Sequence, residues 1–207
     1  TATDSHKELP VVDAGLQRLR DTEFPPFQQA IRYGVASLMT AHVLYRALDP
    51  EAPATLSSAV IQRLLREEFR YEGVVFTDDL EMHAIIDHDG IGEAAVRSFV
   101  AGCDVLLICK DQDRVMTAMQ AMERAVKDGR VTQERLDQSL ARVAKLKARY
   151  LHPYKPVTIS DARLVVGCRS HKVLLDSWHK AYARIPKPTL VERGQAAPAH
   201  DSPVTHV

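Results

Sequence analysis

The chain has 207 residues, 45% hydrophobic and 26% charged, which suits one globular domain with a sizeable core. Its 27 Lys and Arg balance its 27 Asp and Glu, and the basic residues are spread rather than massed, so no nucleic-acid footprint is expected. No apolar run approaches the roughly 20 residues of a membrane span, and no signal-peptide pattern is read, so no membrane partner is expected either.

Residues 1–13 read as a polar loop whose chemical content is Asp4-Ser5-His6. The chain opens Thr1-Ala2-Thr3-Asp4 without a methionine, and is expected to be a piece of a longer one. Leu16 to Gly34 reads as a helix, with Pro25 and Pro26 fitting near a helix start and Gly34 fitting the place just past an end. The apolar run over residues 35–43, ending near His42, reads as a strand. A loop with Pro50 and Pro53 leads to a helix from about Ser57, on which Val60, Ile61, Leu64, Leu65 and Phe69 recur at helical spacing.

Gly73 breaks that pattern. Val74-Val75-Phe76-Thr77 comes next and stops abruptly at Asp78-Asp79, which reads as a buried strand of a parallel sheet. Ile91 to Ala101 reads as a helix closed by Gly102, and Cys103 to Cys109 as a third strand. Arg114 to Asp128 reads as an amphipathic helix closed by Gly129. Thr132 fits as the cap of a further helix with Leu136, Leu140, Val143, Leu146 and Tyr150 on one face.

Strands alternating with helices imply parallel βα units and an α/β fold. A whole (β/α)8 barrel takes about 250 residues. Three strands within residues 1–150 fit the second half of such a barrel, or a small three-layer domain with an open sheet. Residues 151–185 read as an extension packing on the barrel. Within it Thr158 to Ser170 looks irregular or weakly strand-like, and His171 to Ile185 looks helical, with Val173, Leu174, Leu175, Trp178 and Tyr182 along it. Residues 186–207, rich in Pro, Ala and polar residues, are expected to be disordered. Cys103, Cys109 and Cys168 offer neither metal-ligand spacing nor an even framework, and the first two read as buried small hydrophobes. A reducing, cytoplasmic setting is the expectation.

Three constellations could do chemistry. In Asp4-Ser5-His6, an extended loop points residues i and i+2 the same way. Asp4 can then fix the tautomer of His6, raise its basicity and aim its other nitrogen at a substrate. In Asp78-Asp79, one acid can cap the next helix while the other faces a pocket. An ionised Asp at a strand's carboxyl end can attack an anomeric carbon, or bind a metal. His42, His83 and His88 near those acids form the third group. No His pair there has a ligand spacing, and His42 reads as lining the pocket or satisfying a backbone group.

Asp4-Ser5-His6-Lys7-Glu8-Leu9-Pro10 resembles the D-S-H…L-P element of bacterial β-N-acetylglucosaminidases of glycoside hydrolase family 3. Pro26-Phe27…Ala30-Ile31…Gly34-Val35, Met39-Thr40-Ala41-His42-Val43, and Pro53-Ala54-Thr55-Leu56-Ser57 with Leu64-Leu65-Arg66 resemble the segments that come after it in that family. Gly73-Val74-Val75-Phe76-Thr77-Asp78-Asp79-Leu80-Glu81-Met82 resembles its nucleophile strand. The resemblance runs in order from residue 1 to about 150.

It implies a retaining β-N-acetylhexosaminidase on a TIM barrel, with Asp78 as nucleophile, His6 as acid/base and Asp4 as its partner. Asp79 would support them as helix cap or neighbour, and His42 and Met82 would be pocket-wall, substrate-binding residues. The substrate implied is a saccharide bearing terminal β-linked N-acetylglucosamine, from peptidoglycan fragments, cleaved through a covalent glycosyl-aspartate. No cofactor and no metal is needed. The family's K-H-F-P-G-H-G element and its earlier strands are absent here, so the match is to the carboxyl-terminal half, and the amino-terminal half is an expected partner. Two alternatives stand beside this. One is a truncated, inactive or complementation-dependent half-barrel. The other is a metal-dependent barrel hydrolase using Asp78, Asp79 and His42.

Overall fold

In the computed structural model, which describes residues 8–183, the first helical run begins as α1 (Leu16–Arg18). It passes through a π-helical turn, Leu19–Glu23, and ends as α2 (Phe24–Arg32). Pro25 and Pro26 therefore lie inside a continuous run rather than at its start. Their missing N–H groups fall just after the π turn, where the regular ladder is already interrupted. The run closes at Gly34 (φ +74°), where the amides of Gly34 and Val35 donate to Ile31 O at 2.9 Å and Ala30 O at 3.0 Å. These two bonds satisfy carbonyls the helix would leave open and turn the chain into the sheet.

That sheet is parallel and three-stranded, in the order β2 (Ser37–Met39), β4 (Val74–Asp79), β5 (Val105–Leu107). The α/β character with parallel strands agrees with the alternation read from the sequence. β2 is shorter than the expected run and stops before His42. A second parallel pair, β1 (Val11–Val12) with β3 (Leu44–Tyr45), lies in stretches read as loop or strand end. Two-residue strands are too short to carry a period, so nothing in the residue pattern marks them.

Between β2 and β4 the chain forms a 3₁₀ turn, Ala54–Leu56, and a π-helical segment, Ala59–Glu68. Between β4 and β5 lies α3 (His83–Ala101), kinked at Gly90. It starts at His83 rather than Ile91: the polar stretch Asp87-His88-Asp89, where the sequence admits helix or loop, is helical up to the kink at Gly90. Its end at Gly102 (φ +125°) admits no other residue comfortably, since a Cβ there would lie 2.7 Å from Ile61 Cγ2. α4 (Gln112–Lys127) is capped by the Asp111 carboxylate and α5 (Gln133–Leu151) by the Thr132 hydroxyl. Val75 packs with Ile61, Tyr71, Ala101 and Cys103, while Leu80 and Ile85 pack with Ala94, Ala95 and Ala118.

The two cysteines read as buried part ways. Cys103 is buried, and burial pushes its thiol up to about 12. Cys109, however, is exposed, because β5 ends at Leu107 and the chain turns outward before it.

Asp104, just ahead of β5, has a side chain with 0% exposure. Its Oδ2 accepts from Arg66 Nη2 at 2.7 Å and from Val75 N at 3.0 Å. Its Oδ1 accepts from Ser139 Oγ at 2.6 Å, Arg142 Nη1 at 3.0 Å and Arg135 Nη1 at 3.5 Å. Arg135 also donates to Cys103 O at 2.7 Å and Phe99 O at 3.1 Å, and stacks over the Phe99 ring at 4.4 Å. Arg66 donates to Tyr71 O at 2.9 Å and Gly73 O at 2.6 Å. One carboxylate thus gathers the 59–68 segment, β4, β5 and α5.

The chain divides into two compact units between His152 and Pro153. In the second, Thr158 Oγ1 accepts from Asp161 N at 3.1 Å and starts α6 (Ile159–Val165). The stretch expected to be irregular or weakly strand-like is therefore helical in part, since this cap outweighs the β-branched residues around it. α7 (Arg169–Ala183) is the helix expected from His171. Its Leu174, Leu175, Trp178 and Tyr182 are all exposed. Residues 186–207 lie outside the described residues.

Replacing Asp104 by Asn leaves three guanidinium groups around a neutral side chain and should destabilise the protein by about 3–5 kcal/mol. Ser139→Ala, which removes one donor, should cost about 1–3 kcal/mol. Urea unfolding of the two variants beside the parent checks both values and their order.

Candidate functional site

β4 and β5 do not run in even register. Phe76 faces Val105, yet Asp79 faces Leu107, so Thr77 and Asp78 together oppose Leu106. This is a β-bulge, a feature that often lies beside active sites. The buried Thr77 hydroxyl compensates the ladder by accepting the Leu107 N–H at 2.9 Å. Past the bulge, Leu80 N donates to Leu107 O at 2.9 Å, and Met82 N closes a turn on Asp79 O at 3.1 Å.

Asp78 is half-buried at the carboxyl end of β4. Its Oδ1 accepts the Asp79 N–H at 2.8 Å, which restricts the side chain's rotamer. Asp79 is half-buried too, and its Oδ1 accepts the Glu81 N–H at 3.1 Å. Neither acid caps α3, whose N-cap is Met82 without a side-chain bond. The capping reading of this pair, for Asp79 included, therefore fails: the turn Asp79–Met82 intervenes and uses Asp79 within itself. Met82 is 7% exposed and buried against that turn.

His42 is 1% exposed. Its Nε2 lies 2.9 Å from Asp79 O, and its Nδ1 lies 2.8 Å from Thr55 Oγ1. A carbonyl can only accept, so Nε2 carries the proton and Nδ1 accepts from the Thr55 hydroxyl. Thr55 in turn accepts from Thr40 Oγ1, 2.9 Å away. Desolvation pushes the imidazole below its ordinary value of 6.5, against the Asp79 carbonyl bond and the charges of Asp78 and Asp79, and keeps the ring neutral. Of the two roles open to His42, the geometry is that of a backbone-satisfying group. With both nitrogens engaged, the ring has no lone pair to offer a metal.

His83 pairs with Asp87 at 3.0 Å on the exposed side of α3, and His88 is exposed on the same helix. Among the described residues no group of three or more His, Cys, Asp or Glu side chains is arranged to hold a metal ion. The exposed Cys109 thiol is pushed up by desolvation, by Asp79 through charge and a hydrogen bond, and by the charges of Glu81 and Asp78.

Asp4 and His6 lie outside the described residues. The chain just after them is anchored close to His42 in sequence: Val11 pairs with Leu44, and Leu44 N donates to Pro10 O at 2.9 Å.

Three residues at this end carry no mark of their role in the sequence. Thr40 and Thr55 join His42 only through the fold. Glu81, with a side chain 4% exposed, accepts from Lys110 N at 2.6 Å and from Arg114 Nη1 at 3.4 Å, binding the loop after β4 to the loop after β5. The sequence places it only as the acid two positions beyond Asp79 in the run Gly73 to Met82, with no role of its own.

Residues 1–146 match the glycosyl hydrolase family 3 N-terminal domain. Beta-hexosaminidase A of Pseudoalteromonas piscicida is 32% identical over 192 residues, an overlap of 84% of this chain and 32% of that protein. A beta-hexosaminidase of Nitrosomonas eutropha is 34% identical over 146 residues, 69% of this chain and 42% of its own length. The solved glycoside hydrolase family 3 beta-N-acetylglucosaminidase of Paenibacillus sp. str. FPU-7 superposes with a TM-score of 0.74 at 45% identity, covering 76% of this chain and 30% of its own. The chain thus spans roughly a third to two fifths of the length of these relatives.

His42 titrates near 6.5 when unfolded and lower when folded. Below that pH the unfolded chain binds the extra proton, so acid favours unfolding. The stabilising contribution is complete above about pH 6.5 and falls as the pH drops toward the folded value, by at most about 1.4 kcal/mol per pH unit. Urea midpoints between pH 7.5 and 5 should fall more steeply for the parent than for His42→Gln.

Proposed function

The chain belongs to glycosyl hydrolase family 3, and we propose that Asp78 is the nucleophile of a retaining β-N-acetylhexosaminidase whose barrel's second half this chain supplies. The observation that carries the reading is Asp78 itself: an acid at the carboxyl end of a parallel strand, half-buried, with one oxygen held by the Asp79 amide. The names of the relatives support the substrate class. The substrate proposed is a terminal β-linked N-acetylglucosamine on a peptidoglycan fragment, and the setting proposed is the cytoplasm.

In the first step the Asp78 oxygen not held by Asp79 attacks the anomeric carbon from the face opposite the leaving group. The glycosidic bond breaks, and the leaving oxygen takes a proton from His6, oriented by Asp4. In the second step His6 removes a proton from water, which attacks the same carbon and releases Asp78, so configuration is retained. An imidazole near neutrality serves as acid without a second carboxylate crowding the first, which would have to be forced to high pKa to stay protonated. Attack and proton transfer are both side-chain work, and no cofactor enters. Asp79 and His42 hold the turn behind the nucleophile, and Met82 backs it.

A second reading concerns this polypeptide rather than the site. β2 and β5 are both edge strands of the three-stranded sheet, and the chain spans only part of its relatives' length. Activity would then depend on further barrel strands.

Hydrolysis of 4-nitrophenyl N-acetyl-β-D-glucosaminide by this chain, and by a version extended with the remaining strands, should be lost about 10³-fold or more on Asp78→Asn. Equal rates for parent and variant would reject Asp78 as nucleophile. The first-formed sugar, followed by proton NMR, should be the β anomer, and an α anomer would reject the retaining mechanism.

A further inference from the structure

We infer that His42 is a positioning residue for Asp78, acting through a one-way chain of hydrogen bonds from Thr40 through Thr55 to the Asp79 carbonyl. The inference rests on Asp78 being the nucleophile for its kinetic consequence, but its geometry stands without that reading.

The polarity of the chain is fixed at its far end. The Asp79 carbonyl accepts, so Nε2 of His42 donates across 2.9 Å. Nδ1 must then accept from Thr55 across 2.8 Å, and Thr55, its proton committed, must accept from Thr40 across 2.9 Å. His42 is 1% exposed and Thr55 0%, so water does not compete for either.

The link to the nucleophile is the Asp79 residue. Its carbonyl takes the His42 proton, and its amide holds Asp78 Oδ1 at 2.8 Å. The same carbonyl accepts Met82 N at 3.1 Å and so closes the turn that ends β4. Without the His42 bond the carbonyl is held by the Met82 amide alone, the Asp79 backbone is free to shift, and that shift moves the amide on which Asp78 rests. A displacement of about 1 Å at a reacting group costs on the order of 10²-fold in rate.

The near end of the chain is also anchored. Thr40 comes directly after β2, and its amide donates to Phe76 O at 2.9 Å, extending the ladder by one bond. Thr55 sits in the 3₁₀ turn Ala54–Leu56, in a loop held by Asp49, whose carboxylate accepts from Ser57 Oγ at 2.6 Å, Glu51 N at 3.0 Å and Ala52 N at 3.1 Å. The orientation of Asp78 is therefore referred to β2 and to the loop before the 59–68 segment, both outside its own strand.

Two substitutions separate this role from simple core filling. A glutamine side chain brings its amide to the place of Nε2 and can still donate to Asp79 O. An asparagine reaches only the place of Nδ1 and leaves that carbonyl to the Met82 amide alone. In the extended, active protein, His42→Asn should lower kcat by about 10²-fold with KM changed less than about threefold. His42→Gln should recover most of that loss. Equal loss in both variants, or a loss confined to KM, would overturn the inference.

A second readout needs no turnover. Two-bond proton–nitrogen NMR of the imidazole at pH 7 should show a neutral ring protonated on Nε2. The Asp78 carboxyl carbon and Asp79 amide signals should move in His42→Asn and stay near their parent positions in His42→Gln. An Nδ1-protonated ring, or Asp78 and Asp79 signals that respond alike to both substitutions, would overturn it. This remains true if Asp78→Asn proves harmless and the nucleophile assignment itself fails.

Discussion

The fold depends first on a carboxylate that water never reaches. Asp104 sits at the amino end of β5, with Arg66, Arg135, Arg142, Ser139 and the Val75 amide all directed at it. An isolated buried charge would be expensive in this position. Five donors make it tolerable, and those donors come from segments far apart in the chain. The cluster is specific because only one arrangement of the 59–68 segment, β4 and α5 satisfies it. Its excess of positive charge is absorbed in part by carbonyls, with Arg135 on Cys103 O and Arg66 on Gly73 O.

The opposite end of β4 is organised by a neutral group. His42 does for the Asp79 carbonyl what Asp104 does for the Val75 amide: each is a buried side chain from another segment that fixes one end of the strand. The contrast in charge is chemically sensible. A cationic clamp beside Asp78 would stabilise its carboxylate and blunt the nucleophile proposed there, whereas a neutral imidazole bonded to a backbone carbonyl orients without adding charge. The loops at this end are fastened to each other instead, with Glu81 accepting from the Lys110 amide.

Much of this order is legible in the sequence where it is local. The run Val74 to Thr77 ending at Asp78 shows both the strand and the acid at its tip. Gly34, Gly102, Gly129 and Thr132 mark helix ends because caps act within a few residues. What escapes is non-local or too short to have a period. The β1 and β3 pair has two residues on each side. The start of α3 at His83 is hidden by polar residues before Gly90, and α6 by β-branched ones. Cys109 looks buried until β5 is seen to end early. Thr40, Thr55 and Glu81 acquire meaning only from partners many positions away, as does the ring of donors around Asp104. The pairing of Asp4 with His6 rests on sequence alone, since both precede the described residues.

The bulge at Thr77 and Asp78 has a consequence for how this protein can change. Side chains along a strand alternate between two faces, so one extra residue inverts the phase of everything beyond it. Asp78 and Asp79 owe the directions they face to the number of residues between Phe76 and Leu80 as much as to their identities. Substitution within the stretch can be graded, since a different side chain alters packing by degrees. A one-residue deletion or insertion there is a parity error: it would alter the composition by a single residue, and still turn the acid to the wrong side of the sheet and take the buried Leu80 out of the core with it. Lineages descended from this sequence should therefore drift in their letters here while holding their count.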